Sequence, residues 1–391
     1  MVRVNLFGGN CLDNSSYTTI KEKQSGVVMR ICLLVFTLLC YSPLYAGEQF
    51  SVLLVNPSVK SDVFWQKVTD VMQVAAKQNN VSLTTIYGGG NRHIQLAELK
   101  QYLQYNPKPD YAILINYPGG AEQSMSLLEQ HKVKFITLEE TIVGVERDEV
   151  GKPRQRFKYW LGEVFHDNFK AGEQLGKALL DEAINTQQTP HFVAINGHYG
   201  TESDTRSDGL VHYLRKQDVE LEQVVYAGWN KQEAENKVSR LLQRYPDTNV
   251  IWCASDLMAQ GALEAVKGKT DRVYFIGGID WLDDNLNLIE QQKLTASVGG
   301  HFMMGAWALI SLVDHHNGNP YWQNHDAIKF QLGVITKHNI QSYNWLRNIK
   351  DWSVIPFETF LLQNSKSTEY AFDFDTLHSL LSEKPKNAAL H

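Results

Sequence analysis

The chain has 391 residues, of which 43% are hydrophobic and 20% charged, with a formal net charge of −6. That length allows two or three domains with a core of ordinary size. The acidic balance argues against a nucleic acid or other polyanion as partner.

Met29-Arg30 precede a short apolar run, ICLLVFTLLC, and YSPLYA follows it. A charge, about ten apolar residues and a small-residue end form an export-signal pattern, so residues 1–46 are expected to be a removable leader. The polar stretch before Met29 points to a translation start at Met29 rather than Met1. The run is too short to span a membrane. Leu39 before Cys40 does not match the small residue that a lipidation signal needs. The leader holds Cys11, Cys32 and Cys40, so the remaining chain keeps Cys253 alone and can form no internal disulfide. An exported, disulfide-free chain of this size points to a bacterial periplasm.

From residue 50 strand and helix patterns alternate. FSVLLVN (50–56), VSLTTIY (81–87), YAILIN (111–116) and VKFITL (133–138) read as strands. Residues 64–78, 94–105 and 121–131 read as the helices between them. Near-continuous apolar runs are the mark of strands buried on both faces of a parallel sheet. Residues 139–158 break the rhythm and are expected to be a loop. It resumes with helices at 168–183, 205–216, 231–244 and 256–266 and strands at 190–196, 224–227, 249–254 and 273–277. An apolar helical stretch (303–313), a strand (328–335) and an aromatic-rich tail follow. The last residues (384–391) are expected to fray.

In open α/β sheets ligands bind beyond the carboxyl ends of the strands. Those ends carry Asn56, Asn116-Tyr117, Glu139-Glu140, Asn196-Gly197-His198, Trp229-Asn230, Ser255-Asp256 and Asp280-Trp281. Amides and acids beside flat aromatic faces suit a polyhydroxylated ligand. Ser255 is the expected cap of the helix that follows it, which leaves Asp256 free for another role. No nucleophile-elbow or phosphate-loop motif occurs, Gly88-Gly-Gly90 lacks dinucleotide spacing, and the histidines have no metal-ligand spacing. The acidic pairs 139–140 and 283–284 are expected on solvated surface. No catalytic residue, metal or cofactor is assigned.

Three segments carry a family resemblance: NPSVKSDVFWQKV (56–68), NGHYGTESDTRSDG (196–209) and ASDLMAQGA (254–262), with IGGIDW (276–281) beyond them. Together, from about residue 50 to 318, they resemble the type I periplasmic binding proteins of the ribose/galactose class. The resemblance implies an α/β fold of two lobes, each a parallel sheet with helices on both faces, joined by hinge strands. It implies that residues 47–160 plus about 300–325 form one lobe and 163–298 plus about 330–383 the other. Crossings are then expected near 159–163, 297–301 and 320–330. Phe64 and Trp65 match the family's aromatics over the ligand, and Arg206 matches its gripping arginine. Asp256 and Asp280 match its ligand-side acids, and Asn116, Trp229, Asn230 and Trp281 complete the expected site. The implied function is a monomeric binding protein that closes on a small polar solute, most simply a sugar, and delivers it to an ABC importer. The long 139–158 stretch and the tail past 318 also resemble the sensor-partner branch, which reports to a membrane histidine kinase.

Overall fold

The computed structural model describes residues 49–139, 142–269, 272–365 and 367–382. The expected leader, with its three cysteines, and the expected frayed tail lie outside the described residues.

The first half alternates as β1 (Phe50–Asn56), α1 (Val63–Gln78), β2 (Val81–Tyr87), α2 (Arg92–Tyr105), β3 (Tyr111–Leu114), α3 (Ala121–Gln130), β4 (Lys134–Leu138), α4 (Gly144–Val150) and β5 (Trp160–His166). The second half runs α5 (Asn168–Asn185), β6 (Phe192–Asn196), α6 (Glu202–Lys216), β7 (Leu221–Tyr226), α7 (Lys231–Arg244), β8 (Val250–Cys253), α8 (Asp256–Ala265), β9 (Phe275–Asp280), α9 (Asp283–Glu290) and β10 (Ala296–Gly299). Then come α10 (Met304–His316), α11 (Tyr321–Asn324), β11 (Ala327–Phe330), β12 (Gly333–Thr336), α12 (Asn344–Arg347) and α13 (Phe374–Ser382).

The strands form two six-stranded sheets, ordered β11-β5-β4-β3-β1-β2 and β12-β10-β9-β8-β6-β7. All pairs in the first are parallel, and in the second only β10–β12 is antiparallel. The central strands are fully buried, as Leu53–Val55 and Val250–Cys253 illustrate, because helices cover both faces. This is the two-lobed α/β architecture expected from the sequence. Helix α10 is apolar on nearly all sides, and the reason is burial: α1 covers one flank and the 357–360 turn another.

Several details depart from the sequence reading. The 139–158 stretch contains α4. Residues 160–166 form β5, hidden in the pattern by Gly162 and Glu163. Gly162 is needed there because a Cβ would lie 2.2 Å from the Trp322 ring. The run expected as one strand (328–335) is two, β11 in the first sheet and β12 in the second. The chain therefore passes between the sheets at three places: after His166, at Gly299–His301, and at residues 331–332.

The tail does not stay with the second sheet. Arg347 binds Glu290 of α9 at 2.6 Å, but Gln78 of α1 then holds the Ile355 carbonyl and the Phe357 N–H, each at 2.8 Å. Asp314 of α10 accepts from the Leu362 N–H and the Tyr370 hydroxyl, each at 2.9 Å. Phe372 stacks on Trp307 with centroids 4.7 Å apart. Residues 353–372 thus pack beside the first sheet, whereas the sequence reading groups them with the second lobe. The Gln78 amide of α1 and the Trp307 ring of α10 draw them across.

Helices α5 and α6 touch through glycines. A Cβ on Gly172 would meet the Arg206 carbonyl oxygen at 1.7 Å, and one on Gly209 the Phe169 carbonyl oxygen at 1.9 Å. Both obstacles are backbone, so neither can rotate away. Gly172→Ala should lower unfolding free energy by about 1–3 kcal/mol in urea denaturation, because overpacking forces the helices apart. An unchanged midpoint would show the contact to be looser than described.

Candidate functional site

The carboxyl ends of both sheets face one cavity of about 300 Å³. That is the lower end of the roughly 300–1,000 Å³ range usual for small-molecule sites. Its lining includes Phe64, Trp65, Asn116, Arg206, Trp229, Asn230 and Asp280, so seven of the nine expected residues meet there.

On the first-sheet side, Asp62 caps α1 by accepting from the Trp65 N–H at 3.1 Å. That start sets Phe64 and Trp65 in the first turn, their rings edge-on at 5.0 Å. Asn116, just past β3, is 1% exposed. Its Nδ2 donates to Glu146 Oε2 at 3.2 Å. Glu146 also accepts from the Ala121 N–H at 2.6 Å and the Gly119 N–H at 3.2 Å. The segment expected as plain loop thus sends a carboxylate to the start of α3 and orients a cleft amide.

On the second-sheet side, Arg206 is 4% exposed. Its Nε donates to Asn168 Oδ1 and its Nη1 to the Ala254 carbonyl, each at 2.8 Å. A buried cation needs such partners. Its guanidinium carbon lies 5.8 Å from the Trp229 ring centroid, a cation–π contact. Trp229 adopts φ 60°, and its ring lies over Gly197, where a Cβ would come within 2.1 Å. Asn230 lines the cavity, but its Oδ1 caps α7 through the Glu233 N–H at 3.0 Å.

Two expected residues lie elsewhere. Asp256 is fully buried, and its carboxylate turns away from the cavity. It accepts from the Leu282 N–H at 2.8 Å and from Ser297 Oγ at 2.9 Å. Ser255 caps α8, as expected, and lines the cavity in its place. Trp281 is also fully buried. Its Nε1 donates to the Ser297 carbonyl at 3.0 Å, and its ring fills the space left by Gly299 and Gly333. Both residues brace the strand end that carries Asp280, which sits at φ 146°. A non-glycine residue there is strained, and that strain has to be held by its surroundings.

The sequence reading missed the floor of the cavity. Glu139, expected on solvated surface, is 8% exposed, with Oε2 at 3.2 Å from His166 Nδ1. His301, at the second crossing, lies 3.3 Å from Asp280 Oδ1. Its ring is 4.7 Å from that of His166 and 4.6 Å from that of Phe64. His198, Thr201 and Glu202 also line the wall. Burial holds both His166 and His301 well below the usual histidine range, with the Arg206 cation adding to it, so both are neutral. Burial raises the Asp280 carboxyl against the pull of Arg206, and it raises Asp256 together with the charge of Asp280. Among the described residues no cluster of three or more His, Cys, Asp or Glu side chains could hold a metal ion. No described helix is long and apolar enough to cross a membrane.

The raised Asp256 carboxyl has a definite sign. The folded chain holds a proton there that the unfolded chain releases above the ordinary carboxyl range. Its contribution is therefore most favourable at low pH and is lost as pH rises from that range through the raised value. Asp256→Asn keeps the shape and removes the ionisation. Between about pH 5 and about pH 8 its melting temperature should fall less than that of the parent chain. Parallel curves would mean that Asp256 is ionised throughout.

A family model described as "Periplasmic binding protein domain" matches residues 52–320. The D-allose-binding periplasmic protein of Escherichia coli (strain K12) is 31% identical over 174 residues, covering 43% of this chain and 55% of that protein. A ribose import binding protein of Bacillus subtilis (strain 168) is 27% identical over 135 residues, covering 34% and 43%. The matched stretches thus span about half the length of these relatives. The crystal structure of a periplasmic sugar-binding protein from Pseudomonas fluorescens superposes with a TM-score of 0.73 at 25% identity, covering 84% of this chain and 99% of that one.

Proposed function

Because the chain belongs to the periplasmic binding protein family, a family of binding proteins, we propose that it captures a small sugar between its two lobes in the periplasm and delivers it to an ABC importer. One observation carries the ligand class: three aromatic side chains, Phe64, Trp65 and Trp229, share a cavity with Asn116, Arg206 and Asp280. A sugar has apolar C–H faces that stack on rings and hydroxyls that exchange hydrogen bonds around its rim. The allose- and ribose-binding relatives support the same class.

The two lobes also touch directly. Lys67 of α1 donates to the Trp281 carbonyl at 3.1 Å and pairs with Asp283 at 2.7 Å. Lys67 is half-sheltered, with its ammonium 4.4 Å from the Phe302 ring centroid. The bridge spans the cleft from the first sheet's helix to the second sheet's strand end, so it forms with the lobes together. Ligand and bridge then favour the same closed state, and binding shifts the open–closed equilibrium by its differential affinity.

A thermal-shift screen of the protein against monosaccharides tests the reading. A cognate sugar at about 100 times its Kd adds about 2.7 kcal/mol of apparent stability. Absence of any shift across pentoses, hexoses and their derivatives would remove the sugar assignment. Trp65→Ala should weaken the cognate sugar by about 1 kcal/mol or more, through lost stacking area. Lys67→Met should weaken it less, and mainly through faster release. Equal affinity in Trp65→Ala would place the sugar away from α1.

A further inference from the structure

Among the described residues lining the cavity, three buried side-chain atoms have no protein partner: Asn116 Oδ1, His301 Nδ1 and Glu202 Oε2. Buried polar atoms are normally hydrogen-bonded, so partners are expected from the ligand. All three are acceptors. Glu146 is a carboxylate that already accepts two backbone N–H groups, so it draws the Asn116 amide nitrogen and leaves the amide oxygen over. Asp280 Oδ1 beside His301 Nε2 draws the ring proton to that nitrogen, which leaves a lone pair on Nδ1. Burial raises the Glu202 carboxyl against the pull of Arg206, and its Oε2 is an acceptor that a neighbouring cation would hold ionised. Arg206 gives its Nε and one Nη1 hydrogen to Asn168 and Ala254, which leaves its remaining N–H groups as the charged donors on this wall.

The charge balance runs the same way. Asp62, Glu139, Glu202 and Asp280 line the cavity with the single guanidinium of Arg206. Burial raises the Glu202 and Asp280 carboxyls, so a cation set beside them would draw them back to the ionised form. A hydroxyl satisfies an acceptor but does nothing to stabilise the ionised form of these sheltered carboxyls. An ammonium group satisfies both demands, and charge-assisted hydrogen bonds are about twice as strong as neutral ones. An anionic sugar would be opposed by these acids, with Arg206 alone to attract it.

We propose that the ligand is an amino sugar or amino polyol, with its protonated amine set against Glu202 and further donors on Asn116 and His301. This rests on the sugar-binding reading and narrows it. No covalent step is involved.

Isothermal titration of the full chain near pH 6.5 tests it, with D-glucose, D-galactose, D-allose and D-ribose each paired with its 2-amino-2-deoxy counterpart. In at least one pair the amine should bind about tenfold more tightly than its parent, a difference of about 1.4 kcal/mol. Glu202→Gln should bring that ratio to within about twofold, its fold being checked by the ligand-free melting curve. Parent sugars that bind as tightly as their amines in every pair would overturn the proposal and leave the sugar reading standing. If neither class binds, both fall. A preference for the amine that survives in Glu202→Gln would overturn the assignment of Glu202.

Discussion

A buried guanidinium organises this protein. Arg206 cannot be solvated by water where it sits, so its N–H groups must find protein acceptors. They find Asn168 just after the first crossing and the Ala254 carbonyl at the end of β8. Nη2 also lies 3.5 Å from His166 at the end of β5. One side chain therefore ties the crossing, the second sheet and the cleft wall together. The close glycine contacts between α5 and α6 serve the same end, since α6 carries Arg206 and α5 carries Asn168. A shift of either helix would strand a charge.

Much of the fold was legible because parallel strands covered on both faces must read as apolar runs. FSVLLVN and VIWC could hardly be anything else. What stayed hidden was set by long-range packing. WLGEVFH looks unlike a buried strand until Trp322 covers Gly162 and Arg147 pairs with Glu163 at 2.6 Å. The strand expected over 328–335 divides at residues 331–332, where Gly333 alone marks the change of sheet.

The site was legible by residue type and opaque by direction. Trp229 and Trp281 both follow strand ends, at φ 60° and 59°. One lies over Gly197 in the cleft, and the other over Gly299 and Gly333 in the core. Asp256 and Asp280 are a like pair, yet the Leu282 N–H and Ser297 turn Asp256 inward. His166 and His301 carried no local signal. They matter because two crossings, far apart in the chain, bring their rings within 4.7 Å. Glu139 acquires its place in the same way, through His166.

The tail gives the motion between lobes a calorimetric signature. Phe374 lies between Trp281 of the second sheet's strand end and Phe302 and Phe330 at the crossings, with centroids 5.0, 6.4 and 5.8 Å away. It also presses on Gly300, whose φ of 107° admits it. Any widening of the cleft must slide or peel these rings from one another and wet their faces. Hydrating apolar surface raises heat capacity by roughly 0.45 cal/K/mol per Å². Ligand-driven closing would therefore carry a more negative heat-capacity change than the small polar ligand could produce by its own burial. The excess would measure how far the hinge side opens when the cleft is empty.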